Sequence, residues 1–450
     1  MLRYDLSPLK GVYAVEKLFG LAARGTTVRT EVLGGLTTFF AMVYIVFVNS
    51  GYLAMAGMDA TAVMLATCLS AAIGCVLSAL IANLPLAQAP GMGLNTFFTF
   101  TVCAAMGYTW RQALGIVLVS GVLFLVIIAV PFVRTRIMRA VPDDLSRAIS
   151  AGIGLFIAFA GCQGSGLIRL DPQNAFTTLG PVTQNDVLLA IIGIAITAVL
   201  AAYKVQSGII IGIVATTLIG VPMGVTSLDA GAVSWGLAPL GEVFLKLDLP
   251  GLLSLGVLPL MTAILSFLIV SIVDTGSTFL IAAQCPELRG EDGRLRGEGR
   301  AFVASALACC VGALMGTSTV VPYAESAGGI EEGARTGLST LVVGALFVLC
   351  TFLTPIAAII PPAALAPALI IVGFYMMRGA MAINWNDFEV ALPCFLTLII
   401  MPLSYSIPHG IAFGFISFTL IKVLRGKFRE VPIALYALSA AFVALYIFTA

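Results

Sequence analysis

A chain of 450 residues that is 60% hydrophobic, only 10% charged and +1.07 in mean hydropathy is excluded from the soluble domains and reads as a polytopic membrane protein. Its net charge of +1 leaves no basic field for nucleic acid, and a single histidine, His409, excludes histidine-cluster metal chemistry. The nine cysteines, at 68, 75, 103, 162, 285, 309, 310, 350 and 394, lie in apolar runs except for Cys285, so they read as small packing residues, not as disulfides or metal ligands.

Residues 1–31 carry Arg3, Lys10, Lys17, Arg24 and Arg29 ahead of the first apolar run, the pattern of a cytoplasmic leader and not of a cleaved signal peptide. Apolar runs follow at 32–53, 61–83, 92–108, 112–133, 148–168, 187–203 and 206–222, a first transmembrane repeat over 32–222. A polar connection, 223–251, is expected outside the cytoplasm. A second repeat, 252–424, holds runs at 252–283, 301–318, 325–334, 336–358, 363–377, 390–407 and 409–424, and an additional apolar segment covers 431–449. Several runs fall short of the roughly 20 residues that cross a bilayer, so half-helices are expected. Basic residues recur on alternate connections: Arg134, Arg136, Arg139 and Arg147, Lys204, Arg289 to Arg300, Arg335, Arg378, and Lys422 to Arg429. By the positive-inside rule these face the cytoplasm of an inner or plasma membrane, with the N-terminus on the same side. Asp59, Asp229, Glu242 and Asp248 fall on the other side. The segment 431–449 either crosses or lies in the interface.

Within the third run, "PLAQAPGMGLN" (85–95) puts two prolines, a glutamine and two glycines at membrane depth. Non-helical backbone there survives only in protein or against a wet cavity. Its counterpart is "PYAESAG" (322–328), one of several paired stretches in a common order. "ATCLSAAIG" (66–74) pairs with "ASALACCVG" (304–312), "GVLFLV" (121–126) with "GALFVL" (344–349), and "PDDLSRA" (142–148) with "PAALAPA" (362–368). Pro131 pairs with Pro355, "ND" (185–186) with "ND" (386–387), and "SGI" (207–209) with "HGI" (409–411). Two sets of seven elements force the second copy to be inverted, the architecture of secondary transporters that bind substrate where two helices are interrupted. In this alignment Gln88 takes the place of Glu325.

A helix that starts inside the membrane presents free N–H groups, and Glu325 supplies an acceptor beside them. Gln88 and Asn95 each offer a donor and an acceptor. Such a set suits a planar, neutral heterocycle with N–H and C=O edges, meaning a nucleobase. Asp274, within the apolar run 265–285, is an intramembrane carboxylate, which marks a substrate, ion or proton path. Asp274 and Glu325 are the candidate proton-coupling residues. Structural roles stand beside these: Asp274 bonded to a neighbouring helix, Glu325 as a helix cap, Gly91 and Gly93 as close-packing positions, Asn95 as an interhelix bridge, His409 as a helix-start residue. No GxxxxGK[ST] motif is present, which argues against a primary pump. No nucleophile–base pair or metal-ligand set stands out, so neither an enzyme nor a cofactor is expected.

"APGMGLNTFFTF", "GTSTVVPYAESAGGIEEGARTGL", "PPAALAPALIIVGFYMM" and "MPLSYSI" with "GIAFGFISF" resemble the adenine/guanine/hypoxanthine permease family, nucleobase–cation symporters of the uracil-permease fold, over about Glu31 to Lys427. The resemblance implies an all-α, seven-plus-seven inverted repeat with core and gate domains and two discontinuous helices carrying short strands. It also implies proton-coupled purine uptake and assembly as a homodimer. Asn95, Glu325 and Asp274 match the family's asparagine, its substrate-binding glutamate and the second aspartate of its D-x-x-D-T motif. Three departures accompany the match: Ser271 replaces the first aspartate, Ser305 stands where an aspartate is usual, and Gln88 where an apolar residue is expected. The candidate substrate site is therefore Gln88, Gly91, Gly93, Asn95, Ser271, Asp274, Ala324 and Glu325. An anion or carboxylate carrier on the same fold is an alternative, which Glu325 opposes, and a passive facilitator is another.

Overall fold

A computed structural model of the chain describes residues 16–130, 141–170, 177–203, 205, 207–226, 236, 238–291, 293–353 and 359–449. Arg3, Lys10, Pro131, Arg134, Arg136, Arg139, Lys204, Asp229 and Pro355 lie outside the described residues, as do parts of the leader and of the 223–251 connection.

Each half has seven elements. The first half comprises α1 (Val28–Met42) with α2 (Ile45–Met55), α3 (Ala60–Leu77), β1 (Gln88–Pro90) with α4 (Met92–Thr96), α5 (Trp110–Ala129), α6 (Asp143–Gly164), α7 (Asn185–Ala202) and α8 (Gly208–Gly220). A short hairpin of β2 (Ile168–Leu170) and β3 (Thr177–Leu179), not anticipated from the sequence, joins α6 to α7. The second half comprises α9 (Val257–Ala282), α10 (Glu298–Met315), β4 (Val320–Pro322) with α11 (Ser326–Glu331), α12 (Gly337–Cys350), α13 (Pro362–Met377), α14 (Phe388–Leu403) and α15 (Ile407–Leu424). Among the described residues nine helices are long and apolar enough to cross a bilayer. A last helix, α16 (Ile433–Thr449), runs back along α15: the Thr419 and Ser439 hydroxyls bond at 2.9 Å and the His409 and Tyr446 rings lie 5.7 Å apart. Lying along α15, α16 is not draped across its end.

The helix starts follow ordinary capping chemistry. Asp59 accepts from the Ala62 N–H at 2.7 Å to open α3, and Thr109 with Gln112 forms a capping box on α5. The cap of α12 comes from a distance. Glu31 of α1, fully buried, accepts from the backbone N–H groups of Arg335, Thr336 and Ser339 at 2.7–3.1 Å. Two bodies result. Helices α1, α3, α5, α9, α10 and α12 pack together, with α3, α9 and α10 against the β1–β4 ribbon, while α6, α7, α8, α13, α14 and α15 pack with one another. These are the core and gate expected of the fold. In the gate, α6 and α13 cross at Gly154, where a Cβ would stand 2.7 Å from the Gly373 carbonyl, the close approach that small residues permit between membrane helices.

The two interrupted elements meet. β1 and β4 pair antiparallel with Gln88 against Pro322, Ala89 against Val321 and Pro90 against Val320. The ladder extends through the Gly91 N–H to Thr319 O and the Tyr323 N–H to Ala87 O, both 2.9 Å. Its outer carbonyls receive thiols from the flanking helices, Cys75 to Gln88 O at 3.5 Å and Cys309 to Val320 O at 3.3 Å. Backbone groups that lipid could not satisfy are thus paired at the centre of the molecule.

This pairing corrects the repeat register. Under its twofold symmetry Gln88 corresponds to Val320, not to Glu325, and the counterpart of Glu325 is Gly93. β1 begins 28 residues after the start of α3, whereas β4 begins 22 after the start of α10. The difference is largely a π-helical extension of α3, Ser78–Ala82.

Candidate functional site

The half-helices α4 and α11 both start at the ribbon, and the side chains just past it face α9 and the α1–α2 junction. Glu325 occupies the N-cap position of α11 but makes no capping hydrogen bond. Its Oε1 instead accepts from the Tyr44 hydroxyl at 2.6 Å, so the cap role weighed for it is not what the fold uses. Tyr44 sits at a turn, Val43–Tyr44, that separates α1 from α2. Tyr44 is not legible as a site residue in the sequence, since an in-span tyrosine with no proline or glycine beside it gives only a faint sign, a polar tip in oil.

Asp274 lies one side of this pair. Its Oδ2 is 3.7 Å from where a Cβ at Gly91 would stand, and it interacts electrostatically with Glu325. The hydrogen bonds it accepts come at its backbone carbonyl, from Ser277 at 2.8 Å and Thr278 at 3.1 Å. Thr278 also donates to Pro322 O at 3.2 Å, tying α9 to the ribbon. The Tyr323 hydroxyl donates to Pro90 O within electrostatic range of both carboxylates. Ala324 is exposed, and Glu325 and Asp274 are half-buried, so these three border open space while their neighbours are packed.

The other candidates fall into the shell behind. Gly91 and Gly93 are both close-approach positions: a Cβ on Gly91 would stand 2.8 Å from Val321, and one on Gly93 would overlap Ile153 of α6. Asn95 is fully buried; its Oδ1 accepts from the Ser318 hydroxyl, and its Nδ2 has no partner among the described residues. Gln88 starts over Gly74 of α3, and its Oε1 is a buried acceptor with no partner among the described residues. The structure does not align Gln88 with Glu325. Ser271 donates to Phe267 O at 2.6 Å, and Ser305 bonds the Thr275 hydroxyl at 3.2 Å. The two departures from the aspartate pattern are therefore hydroxyls satisfied inside the α9–α10 contact. His409 begins α15 against Tyr446, away from this group.

The space between core and gate is asymmetric. Toward the face carrying Arg289, Arg294 and Arg296, a cavity of about 110 Å³ opens between α6, α9 and α10. Toward the opposite face the gap shrinks to about 20 Å³ with apolar walls. There Tyr405 packs on Phe100, Phe156 and Phe159 at 5.3, 5.2 and 6.0 Å, and Phe100 packs on Tyr52 at 5.7 Å. Tyr405 holds this place with a left-handed backbone, φ 52°, unusual for a bulky residue.

The sequence matches the model of the Permease family (Xan_ur_permease) over residues 29–413. It is 41% identical to the guanine/hypoxanthine permease PbuG of Bacillus subtilis over 437 residues, 94% of this chain and 97% of that one. It is 39% identical to the adenine permease AdeP of Escherichia coli over 436 residues, 96% of each chain. Among solved structures it is similar to the transmembrane domain of the cyanobacterium bicarbonate transporter BicA, with a TM-score of 0.65 and 16% identity over 86% of this chain and 96% of that one. The structural likeness shows the fold, a seven-plus-seven inverted repeat.

Proposed function

Because the chain belongs to the Permease family, we propose that it moves purine nucleobases, or a close planar N-heterocycle, across the bilayer together with protons. It is a multi-pass membrane transporter and not an enzyme. The relatives named for guanine, hypoxanthine and adenine support the substrate class. The observation that carries the reading is the meeting of β1 and β4 beside two acids, one of them held by Tyr44.

In this reading Glu325 gives one oxygen to Tyr44 and keeps the other for an N–H edge of the base. Asp274 stands beside Gly91 on the other side of the slot. Two carboxylates in one small pocket repel each other and repel an anionic cargo, which argues for a neutral solute. A proton taken up by the pair removes one of the two like charges, and a bound N–H offsets the other. Loading both makes the site ready to move through the low-dielectric interior; unloading both returns it empty. The basic face is read as cytoplasmic, with the N-terminal segment on that side of an inner or plasma membrane, and the working assembly as a homodimer.

Uptake of labelled adenine, guanine and hypoxanthine into proteoliposomes, with and without an imposed pH gradient, tests the reading. Accumulation is expected to follow the gradient and to collapse with a protonophore. Glu325→Gln and Asp274→Asn are each expected to abolish it in protein that still folds; wild-type accumulation by both variants overturns the assignment.

A further inference from the structure

Most of the chain's membrane-embedded glycines face a neighbour that leaves no room for a side chain, as Gly34, Gly74, Gly121, Gly154 and Gly212 do. Gly276 does not. It lies in the interior of α9, two residues past Asp274, and a Cβ there would meet nothing within 4 Å. Its backbone is not left-handed either. A glycine inside a helix is destabilising relative to alanine, so neither packing nor backbone geometry accounts for its presence.

The open space beside it does. Gly276 and Val273 form one wall of the 110 Å³ cavity on the basic face. A volume of about 110 Å³ holds several waters, each needing about 10–15 Å³ on this measure. Phe279 and Phe302, with ring centroids 4.8 Å apart, provide an aromatic wall. Across from them α6 contributes Asp143 and Ser146, and α10 brings Glu298 with Arg294 at 3.8 Å. Apolar and aromatic walls with a few polar groups among them suit a planar heterocycle. Val273, the chain neighbour of Asp274, lines it, and its two sides belong to different bodies, α6 to the gate and α9 and α10 to the core.

We propose that this cavity is a transit subsite for the transported base, on the basic-face side of the Asp274–Glu325 pair, and that Gly276 keeps it wide enough for the ring. The inference rests on the nucleobase reading above and adds to it a passage and a residue that sets its width. Bulk at Gly276 narrows the route without touching Glu325.

The test uses the full-length protein in proteoliposomes, with hypoxanthine, guanine and adenine as probes. Gly276→Leu, and Ser146→Trp on the facing wall, are expected to cut initial uptake and counterflow at least tenfold while equilibrium binding stays within threefold. Gly276→Ala is expected to slow transport less, with an unchanged or raised thermal midpoint. Wild-type transport by Gly276→Leu overturns the proposal, as does a loss of binding equal to the loss of rate. Should Gly276→Leu fail to fold, Gly276→Cys decides: labelling by a small thiol reagent, slowed by saturating hypoxanthine, supports the subsite, and labelling indifferent to the base overturns it. A wild type that binds and transports none of the three bases refutes the nucleobase reading itself, an outcome distinct from normal transport by the Gly276 variants.

Discussion

Replacing Tyr44 by Phe deletes one oxygen and leaves the ring in its buried place. What is lost is the 2.6 Å hydrogen bond to Glu325 Oε1. A hydrogen bond to a charged partner contributes about 1.5–3 kcal/mol net, a factor of roughly ten to 150 in an equilibrium constant. In the proposed reading Glu325 keeps this bond when the base binds, so only the part that depends on Glu325 holding its position for the base enters the affinity. The expected loss is therefore at the lower end, about tenfold in the dissociation constant for the accepted purine. Binding is read by equilibrium titration of the purified protein and rate by initial uptake, with the thermal midpoint as the control for folding. A double-mutant cycle separates positioning from mere packing: in a Glu325→Gln background, Tyr44→Phe should have little further effect on binding. An equal cost in both backgrounds, or a Tyr44→Phe protein within twofold of wild type in both affinity and rate, refutes the assigned role.

Glu31→Ala strands three backbone N–H groups at the start of α12, and at about 1–3 kcal/mol for each buried unsatisfied donor, partly relieved by rearrangement, it should cost on the order of 3 kcal/mol and lower the thermal midpoint; Glu31→Gln should recover part of this. Tyr405→Ala removes the ring between Phe100, Phe156 and Phe159, so a cysteine at the exposed position Ala324 should be labelled several-fold faster from the face opposite the basic one; an unchanged rate shows that the aromatic cluster is not the seal. Gly154→Leu forces a side chain into the Gly373 backbone and Met376, and overpacking of this kind costs about 1–3 kcal/mol or more, read as a lower yield of folded protein and a lower thermal midpoint.

The features legible in the sequence are those that are expensive in lipid. Pro85, Pro90 and Pro322 interrupt apolar runs, and Asp274 and Glu325 put charge at membrane depth; each needs a reason, and the reasons lie together around the ribbon. The register between the halves was not legible. The extra turn that shifts it, Ser78–Ala82, reads "SALIA", as apolar as the helix it prolongs, and a π-helical turn leaves no mark in composition. Tyr44 was missed for a similar reason: the turn that frees it falls within "MVYIV", where nothing breaks the pattern.

Ser271 and Ser305 show the complementary limit. Both positions stand out against the aspartate pattern, and Ser271 is a candidate for the substrate site on the sequence alone. In the fold each already has a partner, Phe267 O for one and Thr275 for the other. A buried serine that bonds back to the carbonyl four residues earlier needs nothing from a ligand, and the sequence alone does not reveal whether that bond is made. Glu31 is the converse: it reads as the polar edge of the first apolar run, yet its partners are about 300 residues away. Cost is a local property of a residue in oil, whereas satisfaction depends on what the fold delivers from elsewhere. For this reason the buried side-chain atoms near the ribbon that have no partner among the described residues are notable, the amide atoms Gln88 Oε1 and Asn95 Nδ2 together with Thr319 Oγ1. After the ribbon has formed, with Ser271 closed on its own helix and Ser305 on Thr275 of α9, the two amide atoms remain buried near the half-helix α4 with hydrogen bonds still to make. If substrate reaches either, Gln88→Leu and Asn95→Leu should discriminate between bases that differ by one donor or acceptor; equal effects on all three purines would assign both amides to the framework.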